Sequence, residues 1–258
     1  MKLQGKMNTD EQGQLLIGGC KAADLVREFG TPLYVMDEEH IREKCRGFKN
    51  SFRHEHLSTE VIYASKAFLN IAMCKLIEEE GLSLDVVSGG ELFTAVAAGF
   101  PMERIYFHGN NKTDSELIMA LKVGVGRIIV DNRHEIARLE KLCKQLNKEI
   151  RVLLRVNPGI EAHTHEYIQT AMHDSKFGES IYDEDLCEII GFCQKSDYIS
   201  LKGFHCHIGS QIFEEKSFHN AAKVMIGFLA KMQRDCAFIT EELNLGGGFG
   251  VYYVDGDE

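Results

Sequence analysis

The sequence predicts an α/β fold of the (β/α)8-barrel type, and three observations predict it. Short β-rich runs recur about every 22 residues from residue 61 onward. A helical pattern fills the interval between each pair of runs. The runs are apolar throughout rather than alternating, which is the pattern of parallel strands covered on both faces. An open doubly wound sheet meets the same description, but it would place a glycine-rich turn after its first strand, and "YASKAF" is not one.

The chain begins differently from the way it continues. "CKAADLVREFG" reads as a short helix and "TPLYVMD" as a strand started after Pro32. Residues 1–40 are therefore set apart as an N-terminal segment, and residues 41–258 as the barrel. The barrel strands are expected at "VIYAS" (61–65), "SLDVV" (83–87), "RIYFH" (104–108), "RIIV" (127–130), "RVLLRV" (151–156), "LKGFHCHI" (201–208) and "EELNL" (241–245). That is seven strands, one short of closure. Between them, "FLNIAMCKLIEEEG" has helical spacing and stops at Gly81. "TDSELIMALKVG" opens with Thr113 three residues before Glu116, the spacing of a capping box. "NRHEIARLEKLCKQLN" sets Ile136, Leu139, Leu142, Cys143 and Leu146 on one stripe with charges opposite. Two more helices are expected near 183–195 and 217–235.

Composition narrows the function. The net charge of −10 opposes binding to phosphate backbones or anionic lipid, so neither nucleic acid nor membrane is expected as a partner. No apolar run reaches the roughly 18 residues of a membrane span, and the first 14 residues lack a signal-peptide core, so a cytoplasmic protein is expected. The eight cysteines form no short-spaced pairs, which argues against a metal site. They are expected to be reduced and mostly buried thiols; Cys187 and Cys193 share one helix, and Cys206 lies in a strand.

In a barrel, functional side chains gather where the strands end. Those ends present Lys66, then Asp85 with "SGGE", then His108, Asn110 and Asn111, then Arg155 before "NPG". The sixth ends in "HCHIGSQ" and the seventh runs into "GGGFG". Lys66 interrupts the run "VIYASKAFLN" where the strand gives out among small residues. At a strand end a lysine commonly serves as a solvated cap, so its neighbours decide its meaning. In "NLGGGFG", Gly246, Gly247 and Gly248 let backbone N–H groups approach an anion with no Cβ in the way; a flexible turn is the plainer alternative. "HCHIGS" puts His205 and His207 on one face with Cys206 opposite, and Ser210 can offer a hydroxyl. His-x-His also suits a metal, but no third ligand is evident. A lysine, an anion cradle and an imidazole together are what pyridoxal 5′-phosphate requires: an amine for its aldehyde, an anchor for its phosphate and packing for its ring. The amine attacks only when neutral, and partial burial of Lys66 is expected to favour that form.

Seven ordered segments, "YASKA", "DVVSGGEL", "HGNNKT", "RVNPG", "HTHEYIQTAMHDSKFG", "GFHCHIGSQI" and "LNLGGGFG", resemble the motifs of the diaminopimelate decarboxylases, which belong to the alanine racemase-like, fold-type III pyridoxal-phosphate enzymes. The resemblance runs from about residue 30 to the end. It implies decarboxylation of meso-diaminopimelate to L-lysine, with Lys66 bonding the cofactor aldehyde and His207 stacking on its ring. Ser210, Gly246, Gly247 and Gly248 would hold the phosphate. Asp85 and Arg155 would support from behind, and the loop 173–178 would border an amino-acid substrate. Ala171 stands where such sequences usually carry Gly. The resemblance also implies a homodimer, and a longer chain with a Glu-Pro-Gly-Arg motif on strand eight and a C-terminal β-domain against which residues 1–40 would pack. Lacking these, the 258 residues alone are expected to turn over little or no substrate. The rival readings are a decarboxylase for ornithine, arginine or carboxynorspermidine, a racemase of the same fold group, and a non-catalytic cofactor-binding fragment.

Overall fold

The computed structural model describes residue 3, residues 5–160 and residues 177–253. The seven expected strands form, and we label them β1 (Ile62–Ala64), β2 (Ser83–Val86), β3 (Ile105–Phe107), β4 (Arg127–Val130), β5 (Ile150–Asn157), β6 (Ile199–His205) and β7 (Glu242–Asn244). They lie side by side in chain order, and every neighbouring pair is parallel. Among the described residues one α-helix lies in each connection: α1 (Ile71–Glu79), α2 (Gly89–Ala98), α3 (Asp114–Val123), α4 (Arg133–Leu146), α5 (Leu186–Lys195) and α6 (Glu215–Cys236). The result is a seven-stranded, curled part of a (β/α) barrel. β1 and β7 end the strand path without pairing to each other.

Side-chain alternation divides each strand between two environments. Leu84, Val86, Ile105, Phe107, Ile128, Val130, Val152, Leu154 and Phe204 face the helices and belong to the main buried core. Tyr106, Ile129 and Leu153, with Ile62 against them, form a separate small cluster on the opposite, inner face. Burial on both faces is the reason these runs contain so few polar residues.

The helices start where their first residues can satisfy free N–H groups. The capping box at Thr113 is present: Thr113 Oγ1 accepts from Glu116 N at 3.3 Å, and Thr113 N donates back to Glu116 Oε2 at 2.9 Å. The second oxygen of Glu116 accepts from Gly89 N at 2.8 Å and so ties α3 to the start of α2. Asn70, Ser88 and Asn132 cap α1, α2 and α4 in the same way.

Residues ahead of the barrel depart from expectation in one place. A helix does form at Ala22–Phe29, behind a small antiparallel sheet of Asn8–Thr9, Leu15–Ile17 and Cys20–Lys21. "TPLYVMD" is not a strand: Leu33, Val35 and Met36 are exposed and Tyr34 is 96% exposed. β-rich composition makes a strand only beside a partner, and none of the described residues pairs with this segment. A helix at Glu38–Ser51 then joins the barrel, burying Cys45 in the main core and holding Glu80 through Arg42 and Arg46.

The expectation of reduced cysteines is also corrected. Cys187 at the start of α5 and Cys236 at the end of α6 form a disulfide, with Cα atoms 5.3 Å apart. A separation of 49 residues leaves no spacing signature, so only the packing of α5 against α6 discloses the pair. Of the remaining six cysteines, Cys20 is exposed and five are buried.

Candidate active site at the strand ends

The inner-face positions at the C-terminal ends of the strands are polar. Lys66 lies in the single 3-10 turn Ser65–Ala67 that follows β1. Ser65 Oγ donates to Glu91 Oε2 at 2.6 Å, and the same oxygen accepts from Val87 N at 2.7 Å. Glu91 thereby locks the Lys66 turn to the loop after β2, a role that "SGGE" does not disclose because only the folded chain brings its partners together. Lys66 itself is exposed, so the partial burial expected of it is absent; a short turn at the open end of the strand holds its side chain outside the packed layers. Among the described residues its ammonium has no ion-pair or hydrogen-bond partner.

Asp85 on β2 projects to the same face. Burial pushes its carboxyl up to about 7, opposed by the Lys66 charge, raised further by Glu91 and lowered by Arg155. Its Oδ1 is buried without a hydrogen bond, and Oδ2 lies 3.7 Å from His108 Nε2. His108 is buried and packs edge-on against His205, with ring centroids 4.7 Å apart. Burial drives both imidazoles well below the ordinary histidine range, so they are neutral. Arg155 on β5 sits over the Phe177 ring at 4.3 Å. Burial pushes its guanidinium below the ordinary arginine range, opposed by the charges of Asp131 and then Asp85.

His207 follows β6 and is pushed down to about 4 by burial, then by the Lys66 and Arg155 charges. Cys206 points the other way into the main core. The two loops beyond β6 and β7 fit together closely. Cys206 N donates to Asn244 O, Ile212 N to Gly248 O and Gly250 N to Ile212 O, each at 2.9 Å. Gln211 exchanges two hydrogen bonds with the Val251 backbone. Glycine is obligatory at two of the contacts. Gly246 has φ +74° and a Cβ there would lie 2.5 Å from Cys206 O; Gly248 has φ +98° and a Cβ would lie 1.8 Å from Gly209 O. Those same positions are 3.0 and 3.3 Å from ring atoms of His207, so the imidazole stands against the glycine loop.

Lys66, Asp85, His207 and the triple glycine thus share one mouth. Gly246 N is engaged by Asn244 Oδ1 at 2.8 Å, while among the described residues the N–H groups of Gly247 and Gly248 and the hydroxyl of Ser210 donate to nothing. Free amides beside a hydroxyl suit a phosphate, an unpaired amine suits an aldehyde, and a neutral ring between them suits an aromatic face; the donor set fits pyridoxal phosphate. Of the loop 173–178, Phe177 and Gly178 belong to this mouth, with Gly178 N donating to Asp131; Ala171 and the rest of that loop lie outside the described residues.

Lys112 carries no distinguishing signal in the sequence. It is buried, and its Nζ donates to Gly109 O at 2.5 Å and Ile129 O at 2.8 Å and forms an ion pair with Glu135 Oε1 at 2.7 Å. In the string "HGNNKT" it looks like any surface lysine.

Residues 38–258 match the family described as pyridoxal-dependent decarboxylase, pyridoxal binding domain. The chain belongs to that family. Its cofactor is pyridoxal phosphate. Over all 258 residues the chain is 52% identical to the diaminopimelate decarboxylase of Bacillus subtilis and 47% identical to that of Bacillus methanolicus, covering 59% and 60% of those proteins. Among solved structures, the diaminopimelate decarboxylase of M. jannaschii superposes with a TM-score of 0.87 at 32% identity, over 98% of this chain and 58% of that one. The same enzyme in complex with L-lysine gives 0.86 at 33% identity, over 96% and 58%. The chain therefore spans about three-fifths of the length of these family members.

Proposed function

We propose that this chain provides the cofactor-binding barrel of a decarboxylase that removes CO2 from meso-diaminopimelate and yields L-lysine. The observation that carries the reading is the 52% identity to a diaminopimelate decarboxylase along the whole chain. Bound in the mouth, pyridoxal phosphate supplies an electron sink for the pair left on the α-carbon as CO2 departs. In this reading Lys66 would supply the amine that bonds the cofactor aldehyde. His207, kept neutral, would pack against the ring without adding a positive charge there. Ser210 and the amides of Gly247 and Gly248 would hold the phosphate, and Gly246 sets the loop that presents them. Asp85 and Arg155 would balance charge in the same mouth as Lys66. A homodimer and a cytoplasmic location belong to the same reading; sedimentation equilibrium tests the first and cell fractionation the second.

Mixing the chain with pyridoxal 5′-phosphate is expected to produce the visible absorbance of a lysine-bound cofactor, resistant to dialysis and trapped covalently by borohydride. Lys66→Ala abolishes both. Covalent trapping that persists in Lys66→Ala, mapped to another lysine, defeats the assignment.

A further inference from the structure

One oxygen of the Asp85 carboxyl, Oδ1, is buried yet accepts no hydrogen bond from any described residue. A buried polar atom ordinarily acquires a partner, and a half-buried carboxyl without one is free to turn about its side-chain bonds. His108 Nε2 lies 3.7 Å from Asp85 Oδ2. That imidazole is itself restrained. Its backbone N donates to Val86 O at 2.8 Å, extending the β2–β3 pairing, and its ring is braced against His205. His205 is 4% exposed and its Nδ1 also lacks a partner, so the buried pair is not explained as a saturated hydrogen-bond network.

We propose that His108 is a positioning residue: braced by His205, it presents Nε2 to one oxygen of Asp85 and so fixes the orientation of the carboxyl in the mouth that Lys66 shares. The inference rests on the functional reading above for the meaning of Lys66, but the contact itself requires no cofactor. Because burial keeps His108 uncharged, the interaction is that of an N–H dipole with a carboxylate, and the proton must reside on Nε2. The other groups acting on Asp85 are Lys66 after β1, Glu91 on α2 and Arg155 on β5; His205 and His207 after β6 are neutral. Substituting His108 leaves the charges of Lys66, Glu91 and Arg155 as they are.

The test is a carboxyl-carbon NMR titration of Asp85 in the cofactor-free chain, comparing the unaltered protein with His108→Phe and His108→Gln. Phenylalanine keeps the ring and its packing but removes the donor; the glutamine amide can reach the place of Nε2. In His108→Phe the Asp85 midpoint is expected to rise by about one pH unit, a tenfold change in its ionisation constant, and His108→Gln is expected to restore most of it. An unmoved midpoint in His108→Phe overturns the proposal, and so does a His108→Gln midpoint displaced as far as that of His108→Phe. Should His108→Phe fail to fold by circular dichroism, the nitrogen-15 shifts of His108 in the unaltered chain decide: a proton on Nε2 supports the contact and one on Nδ1 refutes it. Cofactor absorbance is recorded in parallel. Its absence from the unaltered chain would defeat the functional reading while leaving the titration result to stand or fall by itself.

Discussion

Two residues at the mouth make the chemistry of the pocket testable one side chain at a time. Gly248 leaves no room for a Cβ beside Gly209 O, so Gly248→Ala must push the two loops apart. Retention of cofactor is expected to weaken at least tenfold, with a stability loss of about 1–3 kcal/mol, measured by equilibrium dialysis and urea unfolding. Asp85 gives a pH signature. Its folded-state midpoint, about 7, lies above the ordinary 3.8, so the unfolded chain releases this proton first. Its contribution to stability is therefore complete below about pH 4 and is lost as pH rises toward 7. Asp85→Asn should flatten that part of the stability–pH curve. An unchanged slope in urea melts between pH 4 and 7 would contradict the burial argued for this carboxyl. At this scale the sequence was informative where a residue type is unusual in its position: a lysine ending an apolar strand, three glycines in a row, a serine after His-x-His-x-x. It was silent on Glu91, Lys112 and the His108–His205 contact. Each of these has a role defined by a neighbour distant in sequence, and no local pattern announces a neighbour.

At the scale of single elements, the strand and helix rhythm was readable because burial on both faces and capping both leave marks in the chain. β1 to β7 form at the seven apolar runs, with β5 one residue longer at each end than expected and β6 starting two residues earlier and ending three earlier. The capping box of α3 was written out in Thr113 and Glu116. "TPLYVMD" shows the limit of such reading, since pairing is a property of two segments and composition belongs to one. Lys112 shows what then fixes the elements to one another. Its ammonium joins the loop after β3, the end of β4 and the first turn of α4 through Gly109, Ile129 and Glu135. Lys112→Met leaves the Glu135 carboxylate buried beside an apolar chain and should cost about 3–5 kcal/mol. Glu135→Leu added to it should recover much of the loss, because a well-packed apolar pair can replace a buried ion pair. Guanidinium unfolding of the single and double variants separates the two outcomes, and additive losses would reject the pairing as the cause.

Across the whole molecule, one ion pair spans the curl of the sheet. Arg127 at the start of β4 grips Glu242 at the start of β7, with Nε at 2.8 Å from Oε2 and Nη2 at 2.5 Å from Oε1. Two strands lie between them, so this is a chord across the inner face rather than a rung of the ladder. Tyr106 lies under the guanidinium and donates to Glu60 at 2.7 Å, extending the polar floor beneath Ile129 and Leu153. Glu242→Gln is expected to lower stability by about 2 kcal/mol, and a double-mutant cycle with Arg127→Met should return a coupling of similar size. No coupling would mean that curvature is set by the helices alone. Neither residue suggested its partner in the sequence, where 115 positions separate them.

The interlocked glycine loops carry one last implication for anyone who would re-engineer this barrel. Since the backbone of each turn occupies space that the other would need for a side chain, they form a single matched component delivered by two stretches of polypeptide. Transplanting either stretch alone into a foreign scaffold should yield a misfitting rim, whereas exchanging both as a cassette should carry the anion grip intact.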